Sequence, residues 1–296
     1  MKKEKVMHVK LPEGAKYQKV EVTADGEIAI HYVEECNENN EATQTAQIVS
    51  KANPKPEPLI GGTEVYQKEN GTNYWYCKIK DRDEFMYLYF ADLTENDLLY
   101  DANGGKRKFT TRDQKTFKAN VLKALKNKPK RGYSWLPAYE PSKDENGSIQ
   151  FVSGKVVLKG LSSYEWEERL KHYSPENGSK MASITTYFLL LLRWLKDGHA
   201  TVQQLADDSS EIGHYRNSKN AKHDYEKTGE RQFGGFYGFV GNTYKIVKDP
   251  DSRSFFSVLG GCYCNDDYRC PASEVCRDCD PNYRQNYSVG LLDLTK

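Results

Sequence analysis

Tyr187 to Leu195 constrains the fold more than any other stretch, because Tyr-Phe-Leu-Leu-Leu-Leu-Arg-Trp-Leu wound into a helix is apolar nearly all round. Such a helix has no face to offer to water and is stable only when protein surrounds it. The aliphatic part ends at Arg193, well short of a bilayer's thickness, so the surroundings must be a hydrophobic core rather than lipid. A chain of 296 residues can build that core, with material left for a small appendage. The spacing predicts a buried helix over 185–196, stopped by Asp197-Gly198.

The remaining segments read as strands and helices with one polar face. Residues 18–33 alternate around Asp25-Gly26, a strong hairpin signal, so 1–35 is expected to be a small β module, too small to stand alone. Residues 36–60 carry Pro54, Pro56 and Pro58 and almost no apolar side chains, which predicts a linker. From Gly61 onward a large domain is expected, opening with β-like runs at Tyr74–Ile79 and Phe85–Phe90. Phe117, Val121, Leu122 and Leu125 recur at helical spacing within 111–125. A second hairpin is predicted between Ile149–Val152 and Lys155–Leu158, about Ser153-Gly154. Ser162 or Ser163 can cap a helix through His172, with Glu165 or Glu167 in its first turn, and Thr201 opens a short helix. Residues 207–230 read as loop.

Charge excludes some classes of partner. The 43 basic and 42 acidic side chains nearly cancel, so no global field steers the chain toward nucleic acid or an anionic membrane. Residues 105–131 hold eleven Lys or Arg against the single acid Asp113, but no aromatic stacking platform is interleaved, which favours a solvated helix face. No nucleic-acid partner and no membrane insertion are expected. Met1 to Lys5 is charged and no apolar run of signal-peptide length follows, so synthesis in the cytoplasm without a cleaved signal is the expectation.

The segment between Gly260-Gly261 and Val289-Gly290-Leu291-Leu292 differs from all of this. Of the 27 residues from 262 to 288, 21 are Cys, Tyr, Asn, Asp, Ser or Arg, a composition that cannot form a core by itself. Rigid tyrosines among adaptable polar groups are how binding surfaces are built. The groups expected to contact a ligand are Cys262, Tyr263, Cys264, Asn265, Asp266, Asp267, Tyr268, Cys270, Ser273, Asp278, Tyr283, Asn286 and Tyr287, on a frame set by Gly260, Gly261 and Gly290. Five of the seven cysteines crowd here (Cys262, Cys264, Cys270, Cys276, Cys279). Zinc binding or a disulfide such as Cys270–Cys276 are alternatives for them, but the spacing is not two CxxC knuckles, and no cofactor or metal is expected.

Gly235-Phe236-Tyr237-Gly238-Phe239-Val240-Gly241-Asn242-Thr243-Tyr244-Lys245-Ile246 resembles the signature of the formylglycine-generating (sulfatase-modifying) enzyme superfamily, a branch of the C-type lectin fold. Leu259-Gly260-Gly261-Cys262-Tyr263, Asp280-Pro281-Asn282-Tyr283-Arg284 and Val289-Gly290-Leu291-Leu292 follow in the order and spacing of that family's later motifs. The resemblance implies an α+β C-type lectin fold of the formylglycine-generating type over 61–296, preceded by the small N-terminal β module. The residues that would carry the family's chemistry are altered. Cys270 matches one of two cysteines that suit Cu(I), but Asn265 stands at the other, and Lys245 replaces a glutamate that helps bind calcium.

The same segment is similar to that of the variable proteins of diversity-generating retroelements, which share this fold and are mutated at adenines of Asn codons. Only Glu274 and Gln285 within 262–288 lie outside the set reachable from such codons, and there is no Lys. This resemblance implies a non-catalytic display protein recognising a protein or glycan on a cell surface. It would be carried by a virion, as a tail-tip or receptor-binding protein, or displayed on a cell. Residues 1–35 would dock it to a virion or fibre partner or into a homo-oligomer. The alternative is a divergent sulfatase-modifying-type oxidase.

Overall fold

The computed structural model describes the backbone of residues 15–22, 28–34 and 43–46, and in full 54–69, 72–216, 227–229, 232–263, 265, 270–277, 280–282, 284 and 288–296. The chain divides into two compact units, Met1–Pro54 and Lys55–Lys296. In the first, strands β1 (Ala15–Val22), β2 (Ile28–Glu34) and β3 (Thr43–Ala46) form one antiparallel sheet in that order. The strands on either side of Asp25-Gly26 are paired, with Val20 opposite Ile30 and Val22 opposite Ile28, while Asp25 and Gly26 lie outside the described residues. The linker reading needs correcting at both ends. Thr43–Ala46 is a strand pairing with Ile30–Val33. Lys55 to Ile60 belongs to the second unit, where the Ile60 amide donates to Asn177 Oδ1 at 2.7 Å and the Asn177 amide donates back to Ile60 O at 3.1 Å.

The second unit is a mixed α+β structure. Strands β4 (Tyr66–Gln67), β5 (Trp75–Ile79), β6 (Asp83–Tyr89) and β7 (Tyr133–Pro137) make an antiparallel sheet in chain order. Between β6 and β7 lie helices α1 (Glu95–Leu99) and α2 (Arg112–Lys126). Thr111 caps α2 by accepting from the Gln114 amide, and its apolar stripe buries Phe117, Val121 and Ala124. The short pair β8 (Ser142–Lys143) and β9 (Ile149–Gln150) follows. The predicted second hairpin is therefore shifted: β9 pairs backward with β8, and 155–158 meets β8 through the Val157 bridge to Ser142 and the Leu158 amide on Pro141 O at 2.7 Å. Helix α3 (Ser163–Lys171) starts in a capping box between Ser162 and Glu165.

Strand β10 (Lys180–Met181) leads into helix α4 (Ile184–Lys196), the all-round apolar helix, and α5 (Val202–Ala206) follows. Every residue of α4 from Thr186 to Leu195 is buried. That includes Arg193, which the sequence reading treated only as the end of an apolar run. Arg193 donates to the Tyr89 carbonyl and pairs with Asp92 and, at 3.2 Å, with Asp197. Burial alone would push the Asp92 carboxyl up, but Arg193 and Lys196 together hold it below the usual range. Around α4 the buried side chains of α1, α2, α5 and the first sheet form one continuous cluster with Trp194, Phe236 and Phe239.

The last third of the chain gives β11 (Gln232–Phe233) paired with β12 (Phe236–Tyr237), then β13 (Tyr244–Lys248), β14 (Phe256–Leu259), β15 (Val275–Cys276), β16 (Ser288–Gly290) and β17 (Leu292–Asp293). The second four-stranded sheet has the order β15-β14-β13-β16, with β16 parallel to β13 and the other pairs antiparallel. A second cluster, built on Phe85, Trp135, Phe151 and Trp166, packs Ile246, Val258 and Val289 of this sheet against the first. Strand β17 pairs with β10, and Trp135 and Leu294 exchange backbone hydrogen bonds at 3.0 and 2.9 Å. Among the described residues, no helix is long and apolar enough to cross a membrane.

Both hydrophobic clusters lie within 55–296. Removal of residues 1–54 should leave a chain that melts cooperatively within a few degrees of the full-length protein, as followed by circular dichroism. Asp293 supplies a pH test. It is buried, bonded to Arg131 at 2.9 Å, and its Oδ1 has no hydrogen-bond partner. Burial outweighs Arg131 and raises its pKa from 3.8 to about 6. The folded state thus holds a proton that the unfolded state releases, and the associated stability is present below 3.8 and lost as pH rises through about 6. Relative to Asp293→Asn, wild-type melting temperature should fall between pH 4 and pH 7; parallel curves would show an unshifted carboxyl.

Candidate functional site

The chain leaves the second sheet at the end of β14 and returns to it as β15 and then β16, so the excursion over 260–287 is tied to the sheet repeatedly. At its start Gly260 has φ +67°, a left-handed conformation, and its amide donates to Glu274 O at 3.0 Å. At Gly261 a Cβ would come within 2.4 Å of the Tyr215 ring and 2.6 Å of Cys270 O. Gly290 is similarly walled in at the far end, where a Cβ would lie 2.9 Å from Leu170. The frame glycines expected from the sequence are set by close approach.

Beyond Gly261 the path is fixed largely by main-chain bonds. The Tyr263 amide donates to Asn242 O at 3.0 Å, and the Arg216 amide donates to Asn265 O at 2.9 Å. Asn265 closes a turn: its side-chain oxygen accepts from the Cys262 amide at 2.9 Å, and its own amide donates to Cys262 O at 3.0 Å. Further on, Ala272 is buried, with its amide on Ser209 Oγ at 2.9 Å and its carbonyl accepting from the Tyr187 hydroxyl of α4 at 2.6 Å. The Ser273 amide donates to Leu205 O of α5 at 2.9 Å. The Ser163 amide at the start of α3 donates to Pro281 O at 3.0 Å.

Tyr263, Asn265 and Cys270 are partly exposed, as a binding surface requires. Cys262 and Ser273 correct the expectation that they face solvent. Cys262 is fully buried and disulfide-bonded, and Ser273 is 7% exposed beneath the α5 backbone. Both sit where the chain dives under its neighbours, and residue type alone gave no sign of it. Cys270 and Cys276 are thiols rather than a disulfide with each other. Cys264, Asp266, Asp267, Tyr268, Asp278, Tyr283, Asn286 and Tyr287 lie outside the described residues. Among the described residues, no three His, Cys, Asp or Glu side chains are grouped to hold a metal ion. Phe255 occupies the β13–β14 turn with φ +61° and is 62% exposed.

Under the surface lies a polar knot that the sequence did not announce. Lys245 is 2% exposed, yet its ammonium has four oxygen acceptors: Glu140 Oε1 at 2.9 Å, Gly238 O and Thr243 Oγ1 at 3.2 Å, and Thr243 O at 2.5 Å. Glu140, itself buried, also accepts from the Thr243 hydroxyl and the Asn242 side-chain amide. Burial depresses the Lys245 pKa, with Glu140 opposing. The knot closes the loop Gly238–Lys245, and the same Asn242 offers its carbonyl to Tyr263. Glu140 is 105 residues from Lys245, so no local spacing could have paired them.

No protein-family model matches the sequence, and neither does any curated protein. Among solved structures the chain is similar to Treponema denticola variable protein 1, at 10% identity and a TM-score of 0.28, with 97% of this chain and 100% of that chain covered.

Lys245→Met would strand the Glu140 carboxylate in the interior and should cost about 3–5 kcal/mol, since breaking a buried pair leaves an uncompensated charge. Adding Glu140→Gln should recover part of that loss. With the Lys245 ammonium already neutralising Glu140, excess EDTA should not move the melting temperature of the wild type. A drop on chelation would place a metal in the fold.

Proposed function

We propose that this chain is a ligand-binding display protein of the diversity-generating retroelement type. Its scaffold is a C-type lectin fold related to the formylglycine-generating enzymes, and its recognition surface lies within 262–288. The observation that carries the reading is a division of labour along that segment. Gly261, Cys262, Ala272 and Ser273 hold the path through burial and main-chain hydrogen bonds, which tolerate change at neighbouring positions. The intervening positions carry the Tyr, Asn, Asp, Cys and Arg that Asn-codon mutagenesis yields. Outside the turn that the Asn265 side chain closes at Cys262, backbone bonds do not depend on which side chain is present, so the path survives diversification.

The reading is non-catalytic. Asn265 occupies the position of one of the two Cu(I) thiolates and is spent on the turn at Cys262, while Cys270 approaches the Tyr244 hydroxyl at 3.8 Å. The target would be a protein or glycan on a cell surface, and residues 1–35 would attach the display domain to a virion, a fibre or further copies of the chain. Neither nucleic acid nor membrane insertion has a part in it.

Tyr263→Ala, Tyr268→Ala and Tyr287→Ala combined should abolish binding to target cells. Aromatic hot spots each cost about 2 kcal/mol or more on truncation. Exposed substitutions on an intact frame cost within about 0.5 kcal/mol each, so the melting temperature should hardly move. Unfolding of the triple variant would make these rings core and end the display reading. A near-copy of the 262–288 coding sequence beside a reverse transcriptase would be independent support.

A further inference from the structure

Away from the 262–288 segment, four tyrosines and a carboxylate form a box. Tyr66 and Tyr76 stack at 6.1 Å between ring centroids, and Tyr139 and Tyr237 stack at 4.7 Å. Glu84, 3% exposed, lies against them and accepts from the Tyr66 hydroxyl. Inside sits the ammonium of Lys68, bonded to Glu84 and lying 4.7, 5.4 and 5.2 Å from the ring centres of Tyr76, Tyr139 and Tyr237. Three ring faces and one anion around a single nitrogen are what the recognition of an alkylammonium requires, because the negative faces of the rings attract the cation and exclude water. The phenols of Tyr66, Tyr139 and Tyr237 are all pushed above their ordinary pKa, chiefly by burial, so the rings stay neutral and Glu84 supplies the charge.

The tenant is held through its side chain alone, by Glu84, by the Tyr139 hydroxyl at 3.5 Å and by the three ring faces. Lys68 follows a two-residue edge strand whose pairing ends at Gln67 opposite Trp75, so the lysine can leave without breaking the sheet. Tyr76 and Glu84 lie on the adjoining strands β5 and β6. The outer walls, Tyr139 and Tyr237, are only partly buried and give access from solvent.

We propose that the tyrosine box is a binding site for the lysine side chain of a partner protein, with Lys68 as an intramolecular competitor that leaves when the partner's ammonium arrives. Lys68 itself is the stand-in: a primary ammonium on a four-carbon stem is the species the box already holds.

The probe is n-butylammonium, titrated into wild type and Lys68→Ala and followed by tyrosine-ring NMR shifts, with n-butanol as the uncharged control. Saturable shifts at Tyr139 and Tyr237 are expected in both proteins, and the variant should bind about tenfold more tightly or better once the tethered competitor is gone. Tyr237→Leu should weaken binding without altering the melt. Several results would overturn the proposal: equal affinities for wild type and variant, equal responses to butanol, or a wild type that shows no saturable binding and so makes Lys68 a fixed strut. If Lys68→Ala does not fold, the wild-type titration alone decides, by the presence or absence of saturable shifts that butanol does not reproduce.

Discussion

The buried pairing of Glu140 with Lys245 is the interaction on which the surface depends. An ammonium taken out of water is costly unless its donors are met, and here four oxygens meet it. The loop from Gly238 to Lys245 can close only around that set. Once closed, it presents the Asn242 carbonyl to Tyr263, and the path of the excursion begins from there. A charge pair deep in the second unit therefore acts on the first partly exposed tyrosine through one side chain and one peptide group.

The excursion is held from below by the apolar helix, by α5 in the same cluster and by α3 in the second cluster. Tyr187 of α4 reaches Ala272, Leu205 of α5 reaches Ser273, and the start of α3 reaches Pro281. All are contacts with backbone groups of the segment. Side chains that point outward can then differ without disturbing what is underneath, whereas small or buried groups at Gly261, Cys262 and Ala272 cannot. This separation is a property of the packing.

Much of this was legible in the sequence. The helix at 185–196, the helix within 111–125, the Ser162 cap, the short helix opening at Thr201, the paired strands either side of Asp25-Gly26 and the glycines that frame the segment all rest on local chemistry, and local chemistry is what a sequence displays. The misreadings arise where distant parts of the chain decide. Thr43–Ala46 has a strand's pairing but no apolar alternation, so it read as linker. Ile149–Gln150 chose the preceding strand over the following one. Cys262 and Ser273 carry polar-surface identities, yet lie beneath segments read as loop or as helix. Glu140 and Lys68 carry no local signal of burial, because the partners that enclose them lie far along the chain.

The central claim is that a frame held by buried groups and backbone bonds carries a tolerant surface. Saturation mutagenesis across 260–292, scored for folded yield by protease resistance, tests it most directly. The account predicts intolerance concentrated at Gly260, Gly261, Cys262, Ala272, Val289 and Gly290. It predicts near-neutral replacement at Tyr263, Asp266, Asp267, Tyr268, Asp278, Tyr283, Asn286 and Tyr287. Intolerance spread evenly over both groups would contradict it, since the segment would then be core and not display.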